Sequence, residues 1–148
     1  VVAHGASKIA ACYLAERLTA VGADATLLDF DMPQMAIGCL TRGEKDSTLL
    51  MAVATPPYGK STVAAVRLAR QLGIPVVSFT DSRQSPLAQD AEAVFCPTSQ
   101  EFGGMTNSYA PFMVMIELVS FLYRFGRQEQ REDEAGPLVE QYLMLKNE

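Results

Sequence analysis

The sequence predicts an α/β fold: a three-layer α/β/α sandwich on a five-stranded parallel sheet, in the flavodoxin-like order 2-1-3-4-5. Three observations carry this. Short apolar runs rich in β-branched residues alternate with longer segments whose apolar residues recur at helical spacing. The run at 48–54 (TLLMAVA) is apolar without alternation, as in a strand covered on both faces. Glycine stands where two helical segments stop, at Gly22 and Gly73, and Pro75 follows the second.

The elements follow in chain order. Residues 1–3 (VVA) are the first strand, closed by His4 and Gly5. Ser7 stands at the N-cap position of the next helix, in which Ile9, Tyr13, Leu14, Leu18 and Val21 form the repeating apolar set. Residues 25–29 (ATLLD) are the second strand. Asp31 opens a short helix with Pro33 in its first turn, lined by Met32, Met35, Ala36, Ile37 and Leu40. A polar turn at 43–46 leads to the third strand at 48–54. The helix after it starts near Ser61 and Thr62 and turns Ala65, Val66, Leu68, Ala69 and Leu72 inward. Residues 75–80 are the fourth strand. Ser85 and Pro86 cap a short helix at 87–91, and residues 93–97 are the fifth strand. A loop at 100–106 holds Glu101, Gly103 and Gly104, and a long apolar helix runs from about 107 to 124. Beyond it, RQEQREDEAG (127–136) is a mixed-charge run, and Leu138, Val139, Tyr142, Leu143 and Leu145 make an apolar stripe. This divides the chain into a domain at 1–128 and a linker with an amphipathic helix at 129–148, which packs on the domain or on a dimer partner.

Composition excludes several functions. With 148 residues, 49% of them hydrophobic, the chain is long enough to bury a core. A net charge of −5 repels phosphodiester backbones, so no DNA contact is expected from this chain itself. Cys12, Cys39 and Cys96 lie far apart and His4 is the lone histidine, so neither a metal site nor a disulfide framework is expected. No cofactor is expected either, and free cysteines suit a reducing cytoplasm. The most apolar stretch, 109–125, contains Pro111 and Glu117 and falls short of the roughly 20 residues that span a bilayer, so no membrane partner is expected. The first residue is expected to belong to a strand already, so no leader is expected and the sequence is expected to be a piece of a longer protein.

Two strand-to-helix turns concentrate the chemistry: VVAHGAS at 1–7 and LLMAVATPPYGKST at 49–62. Such turns present free backbone N–H groups and the positive end of a helix dipole, a general phosphate site. In the order 2-1-3-4-5 the strand order reverses between strands one and three, where ligands bind in these folds. The expected ligand-binding residues are His4, Gly5, Ala6 and Ser7 on one wall, and Thr55, Tyr58, Gly59, Lys60, Ser61 and Thr62 on the other. Glycines permit close backbone approach, the hydroxyls donate to phosphate oxygens, and Lys60 adds a compact charge. The plainer reading makes Ser7, Ser61 and Thr62 ordinary helix caps. A competing reading takes ATPPYGKS (54–61) as a P-loop, one residue away from G-x-x-x-x-G-K-[ST]. Against it, Ala54 replaces the first glycine, and Pro56 and Pro57 remove two N–H donors from the phosphate nest.

AHGASKIAACYLAERLTAVG (3–22), the T-x-x-x-x-x-x-T turn and FTDSRQSPLAQDAEAVF (79–95) resemble a SIS (sugar isomerase) domain, most of all the C-terminal effector domain of RpiR-type transcriptional regulators. The likeness covers nearly all of 1–124. It implies a dimer with a five-stranded parallel sheet that binds phosphosugars through a G-x-G-x-S turn and an S-x-S-G-x-T turn. Gly5 and Ser7 match the first pattern, with Ala3 replacing its first glycine; Thr55 and Thr62 open and close the second. PPYGKS is about two residues longer than the family turn and lacks its central Ser-Gly, so Gly59, Lys60 and Ser61 stand as substitutes.

The resemblance implies a homodimeric sensor of a phosphorylated sugar or related metabolite, with DNA bound by an N-terminal helix-turn-helix domain outside this sequence. The alternative is a phosphosugar isomerase, which needs a base to move a proton between adjacent carbons. Its candidates are His4 and Glu101, with Asp29, Asp31 and Asp81 behind them. Isomerase branches of the family carry a histidine motif after strand two; DFDMPQM has no histidine, which favours binding over catalysis. A third reading is an interaction module that keeps TPPYGKST for folding alone.

Overall fold

Four parallel strands form the sheet of the computed structural model, in the order β1-β2-β3-β4, and the structure describes residues 1–43, 47–97, 108–128 and 143–146. The strands are β1 (Val2–Ala3), β2 (Leu50–Ala54), β3 (Val76–Thr80) and β4 (Ala93–Phe95). The helices are α1 (Lys8–Ala20), α2 (Pro33–Arg42), α3 (Lys60–Gln71) and α4 (Ala110–Gln128). Register is continuous across the sheet: Ala3 pairs with Val53, Val53 with Phe79, and Phe79 with Phe95.

The expected second strand is reduced to a single parallel bridge, Val2 with Leu28, beside β1. Leu28 N–H donates to Val1 O at 2.7 Å, and the Val1 amine donates to Thr26 O at 2.7 Å. The segment at 25–29 therefore occupies the edge position the order 2-1-3-4-5 gives it, without the ladder of a full strand. The chain leaves β1, runs out to this edge, and returns past β1 to β2, so the strand order reverses between β1 and β2.

Alternation along the strands feeds two separate cores. Val2, Leu50, Ala52, Ala54 and Val76 face α2 and α3, packing on Ala36, Leu40, Ala65, Val66 and Ala69. Ala3, Val53 and Phe79 face α1 and α4, packing on Ala10, Leu14, Leu18, Phe112 and Ile116. Both faces of the sheet are covered, which is why β2 reads as unbroken apolar sequence. Several of the helix residues at these contacts are alanines, which let the helices sit close on the strands.

Most helix bounds follow the sequence signals. Pro33 takes the first position of α2, where a missing N–H is harmless. Gly22 and Gly73 adopt φ of 86° and 75° just past α1 and α3, a conformation glycine enters without strain. The inward faces differ from expectation. Ile9 is 64% exposed, and Met32, Met35 and Ile37 are exposed at α2, whose buried residues are Ala36 and Leu40. At α2, Ala36 and Leu40 dock while Met32, Met35 and Ile37 remain outside. The helix expected at 87–91 is a single 3-10 turn, Ala88–Asp90, with Leu87 at its cap position; Ser85 Oγ accepts from Ala88 N–H at 3.2 Å.

α1 and α4 are cross-linked along their length. Arg17 donates to Glu117 Oε2 at 2.8 Å, Tyr13 donates to Glu117 Oε1, and Arg127 donates to Gly22 O at 2.9 Å. The outer side of α4 shows Val114, Leu118, Phe121 and Phe125 at helical spacing, all exposed. Leu143, Met144 and Leu145, in the helical turn at 143–146, are exposed as well. The loop expected at 100–106, with Glu101, and most of the segment expected at 129–148 lie outside the described residues.

Candidate crevice at the carboxyl ends of the strands

β1 and β2 are hydrogen-bonded neighbours, so the turns that follow them start side by side. After β1, Gly5 takes φ of 59°, a left-handed conformation open to glycine, and residues 5–7 wind a 3-10 turn into α1. After β2, residues 55–59 lead to α3, with Gly59 at the cap position. The turns touch. A Cβ placed on Gly59 would stand 2.6 Å from His4 Cβ, so only glycine fits against His4 there.

The hydroxyls are not spent on caps. Ser7 has helical backbone angles and makes no side-chain cap bond, and α3 is capped by Gly59 with no side chain at all. Ser7 stands at the N-cap position of α1, as expected, but its side chain makes no cap bond. Ser7 Oγ instead lies 3.0 Å from Tyr109 Oη, and Thr55 Oγ1 lies 3.1 Å from the same atom. One phenol oxygen thus joins the two turns. Ser7 and Thr55 are nearly sealed from solvent, and Thr62 is fully buried with no hydrogen-bond partner for Oγ1 among the described residues. A buried hydroxyl left unpaired costs about 1–3 kcal/mol, and it stands in the first turn of α3. The first bond of that helix runs from Val63 N–H to Gly59 O, so the N–H groups of Lys60, Ser61 and Thr62 precede the helical ladder.

The remaining expected residues ring these. Lys60 is exposed, Ser61 is half-buried, and Ala6 is exposed in the 3-10 turn. Tyr58 donates to Asp81 Oδ1 at 2.8 Å, tying the β2 turn to the end of β3, where Thr80 Oγ1 also donates at 3.1 Å. Burial, and then this bond to a carboxylate, pushes the Tyr58 phenol up to about 12. On the other side, His4 Nδ1 is 3.6 Å from Asp31 Oδ1, and Lys8 Nζ pairs with Asp29 and Asp31 at 3.3 and 3.4 Å. The Asp31 backbone N–H, and then Lys8, hold the Asp29 carboxyl below its usual range. Lys8, a cation at this rim, is absent from the expected site.

Tyr109 is the main residue that sequence reasoning misses. It sits at the start of an apolar run and so reads as core. The available signal is its hydroxyl: a tyrosine at the head of the helix after the last strand emerges at the same rim of the sheet as the two turns.

Among the described residues no group of three or more His, Cys, Asp or Glu side chains is placed to hold a metal, and no helix is long and apolar enough to cross a membrane.

A family model described as the SIS domain matches residues 40–121. No curated protein matches the chain. Among solved structures, the sugar isomerase domain of an RpiR transcription factor from Sphaerobacter thermophilus is similar at 24% identity and a TM-score of 0.74, over 86% of this chain and 70% of that one. The Vibrio vulnificus NanR protein complexed with ManNAc-6P is similar at 24% identity and a TM-score of 0.62; the match covers 99% of this chain and 52% of that one, so this chain spans about half the NanR length. A protein of E. coli CFT073 in complex with a phosphosugar is similar at 19% identity and a TM-score of 0.70, over 88% of this chain and 70% of that one. At these identities the likeness is one of fold.

Proposed function

The chain belongs to the SIS domain family, and from that premise we propose that its crevice binds a phosphorylated sugar or related anionic metabolite as the sensing domain of an RpiR-type transcriptional regulator. One observation carries the reading: the turns after β1 and β2 converge, with Gly59 against His4 and with Ser7 and Thr55 one oxygen apart. The phosphate is gripped by the Ser7, Thr55 and Thr62 hydroxyls and by the free N–H groups at the head of α3, with Gly5, Ala6, Tyr58, Gly59, Lys60 and Ser61 forming the walls. The positive end of the α3 dipole and Lys60 favour a negative charge there. The two solved relatives in complex with phosphosugars support this class of ligand.

In this reading residues 1–128 are the SIS domain and 129–148 a linker and amphipathic helix. The protein is a cytoplasmic homodimer, and a helix-turn-helix domain beyond this sequence contacts DNA. The exposed apolar side of α4 supports the dimer. Ligand biases the regulator only as far as it binds two dimer states unequally.

The test is a thermal-shift panel of sugar phosphates against their unphosphorylated sugars. Preferential binding to the folded state raises the Tm by mass action. A rise for some sugar phosphates, with none for the neutral sugars, is expected; no rise with any phosphorylated metabolite overturns the reading.

A phosphosugar isomerase is the second reading, favoured by the His4–Asp31 pair at the rim, since a carboxylate can orient a histidine as base. Solvent deuterium entering a bound sugar phosphate at the carbon next to the carbonyl selects it.

A further inference from the structure

The Tyr109 hydroxyl stands 3.0 Å from Ser7 Oγ and 3.1 Å from Thr55 Oγ1, and those two residues are only 4% and 5% exposed. The gap between the two turns is therefore one oxygen wide, at hydrogen-bond distance on both sides. A phenol fills it with a neutral oxygen, and in each of the two pairs either hydroxyl can be the donor. An anionic oxygen accepts from both, and bonds to an ionised acceptor are roughly twice as strong as neutral ones. Tyr109 also stands at the head of α4. It is half-buried, it precedes the first residue of that helix, and it meets Phe112 through a tilted ring contact at 5.8 Å. Met113 N–H holds its carbonyl at 3.0 Å, which ties its backbone to α4.

We propose that the Tyr109 hydroxyl holds the position of a ligand's anionic oxygen between Ser7 and Thr55, and that the ligand binds by displacing it. This deepens the reading of the crevice as a phosphate site and rests on it. Tyr109 then sets how tightly the crevice binds, because every ligand must first break the Tyr109 bridge. It also carries occupancy into α4, the helix with the exposed apolar side, since the ring that moves belongs to the residue just before it.

The test uses inorganic phosphate as the probe, on the wild-type chain, Tyr109→Phe and Ser7→Ala, with folding confirmed by far-UV circular dichroism. Tyr109→Phe keeps the ring against Phe112 and removes the competing oxygen; it is expected to bind phosphate at least threefold more tightly. Ser7→Ala is expected to bind it at least tenfold more weakly. Phosphate is expected to change the near-UV tyrosine signal of the wild type more than that of Tyr109→Phe, in which Tyr58 remains in the crevice wall. Tyr109→Met serves as a second variant with the same expected direction. Unchanged or weaker phosphate binding in Tyr109→Phe, with Ser7→Ala weakened, overturns the displacement and leaves the phosphate crevice standing. Phosphate binding indifferent to Ser7→Ala, or absent from all the variants and the wild type, overturns both.

Discussion

Replacing Gly59 with alanine tests whether the two turns meet. The backbone at Gly59 has φ of −65° and ψ of 125°, which alanine adopts readily, so backbone strain adds nothing and the main penalty comes from the space the methyl enters. That methyl would lie 2.6 Å from His4 Cβ and 2.9 Å from His4 Cγ. Carbon atoms are comfortable at about 3.5–4.0 Å, so the turns must part by about 1 Å. Rotating the His4 ring does not relieve the nearest contact, because Cβ is fixed by the main chain. Forcing an extra methyl into such a contact costs about 1–3 kcal/mol. At about 2–4 °C per kcal/mol for a chain of this size, the Tm falls by about 2–12 °C. Alanine is also a poorer helix cap than glycine, a separate penalty of a few tenths of a kcal/mol to about 1 kcal/mol. A double-mutant cycle removes it: Gly59→Ala is measured by chemical denaturation in the wild type and in His4→Gly, which lacks the opposing Cβ. A coupling of at least about 1 kcal/mol is expected. Additivity to within about 0.5 kcal/mol, the ordinary result for sites out of contact, would refute the convergence of the turns.

Three further outcomes follow from the same geometry. Ser7→Ala weakens the binding of a sugar phosphate by about 1.5–3 kcal/mol, the range for a hydrogen bond to a charged group, as read by calorimetric titration; unchanged affinity removes Ser7 from the site. Thr62→Val replaces a buried, unpaired hydroxyl with a methyl of similar size, so the ligand-free protein is expected to be as stable or up to about 1 kcal/mol more stable, while sugar phosphate affinity falls. Loss of stability in that variant would mean the hydroxyl has a partner in the fold. Tyr58 is the third. Its phenol is raised from 10.0 to about 12, so the folded state keeps a proton that the unfolded chain releases. Stability from this group is complete below pH 10 and is lost as pH climbs toward 12. Phenolate absorbance is expected to show a late-titrating component that Tyr58→Phe diminishes, Tyr13, raised by its bond to Glu117, remaining.

How far the sequence reveals this molecule depends on whether a signal is local. Gly22, Gly73 and Pro33 stop or start helices through their own backbone chemistry, and each lies where it should. The unbroken apolar run of β2 reports burial on both faces. The edge segment at 25–29 reads as a strand from composition, yet with β1 only two residues long it has little to pair with and keeps a single bridge. Ile9, Met32 and Met35 read as core because they are large, but the close approach of helix to sheet selects alanines instead. At the crevice, the two turns are legible because phosphate chemistry calls for glycine and hydroxyls at strand ends. The bonds from Tyr109 to residues 102 and 54 positions away are tertiary contacts, and nothing local announces them.

The reversal of strand order between β1 and β2 has one more consequence. It sends α1 to one side of the sheet and α3 to the other, while the turns that launch them stay adjacent at the rim. A molecule held by both turns is thus a rivet through two slabs that otherwise meet across the strands between them. Neither slab peels away without letting go of the rivet, so occupancy should slow amide exchange in α1 and α3 together, although the sheet stands between those helices.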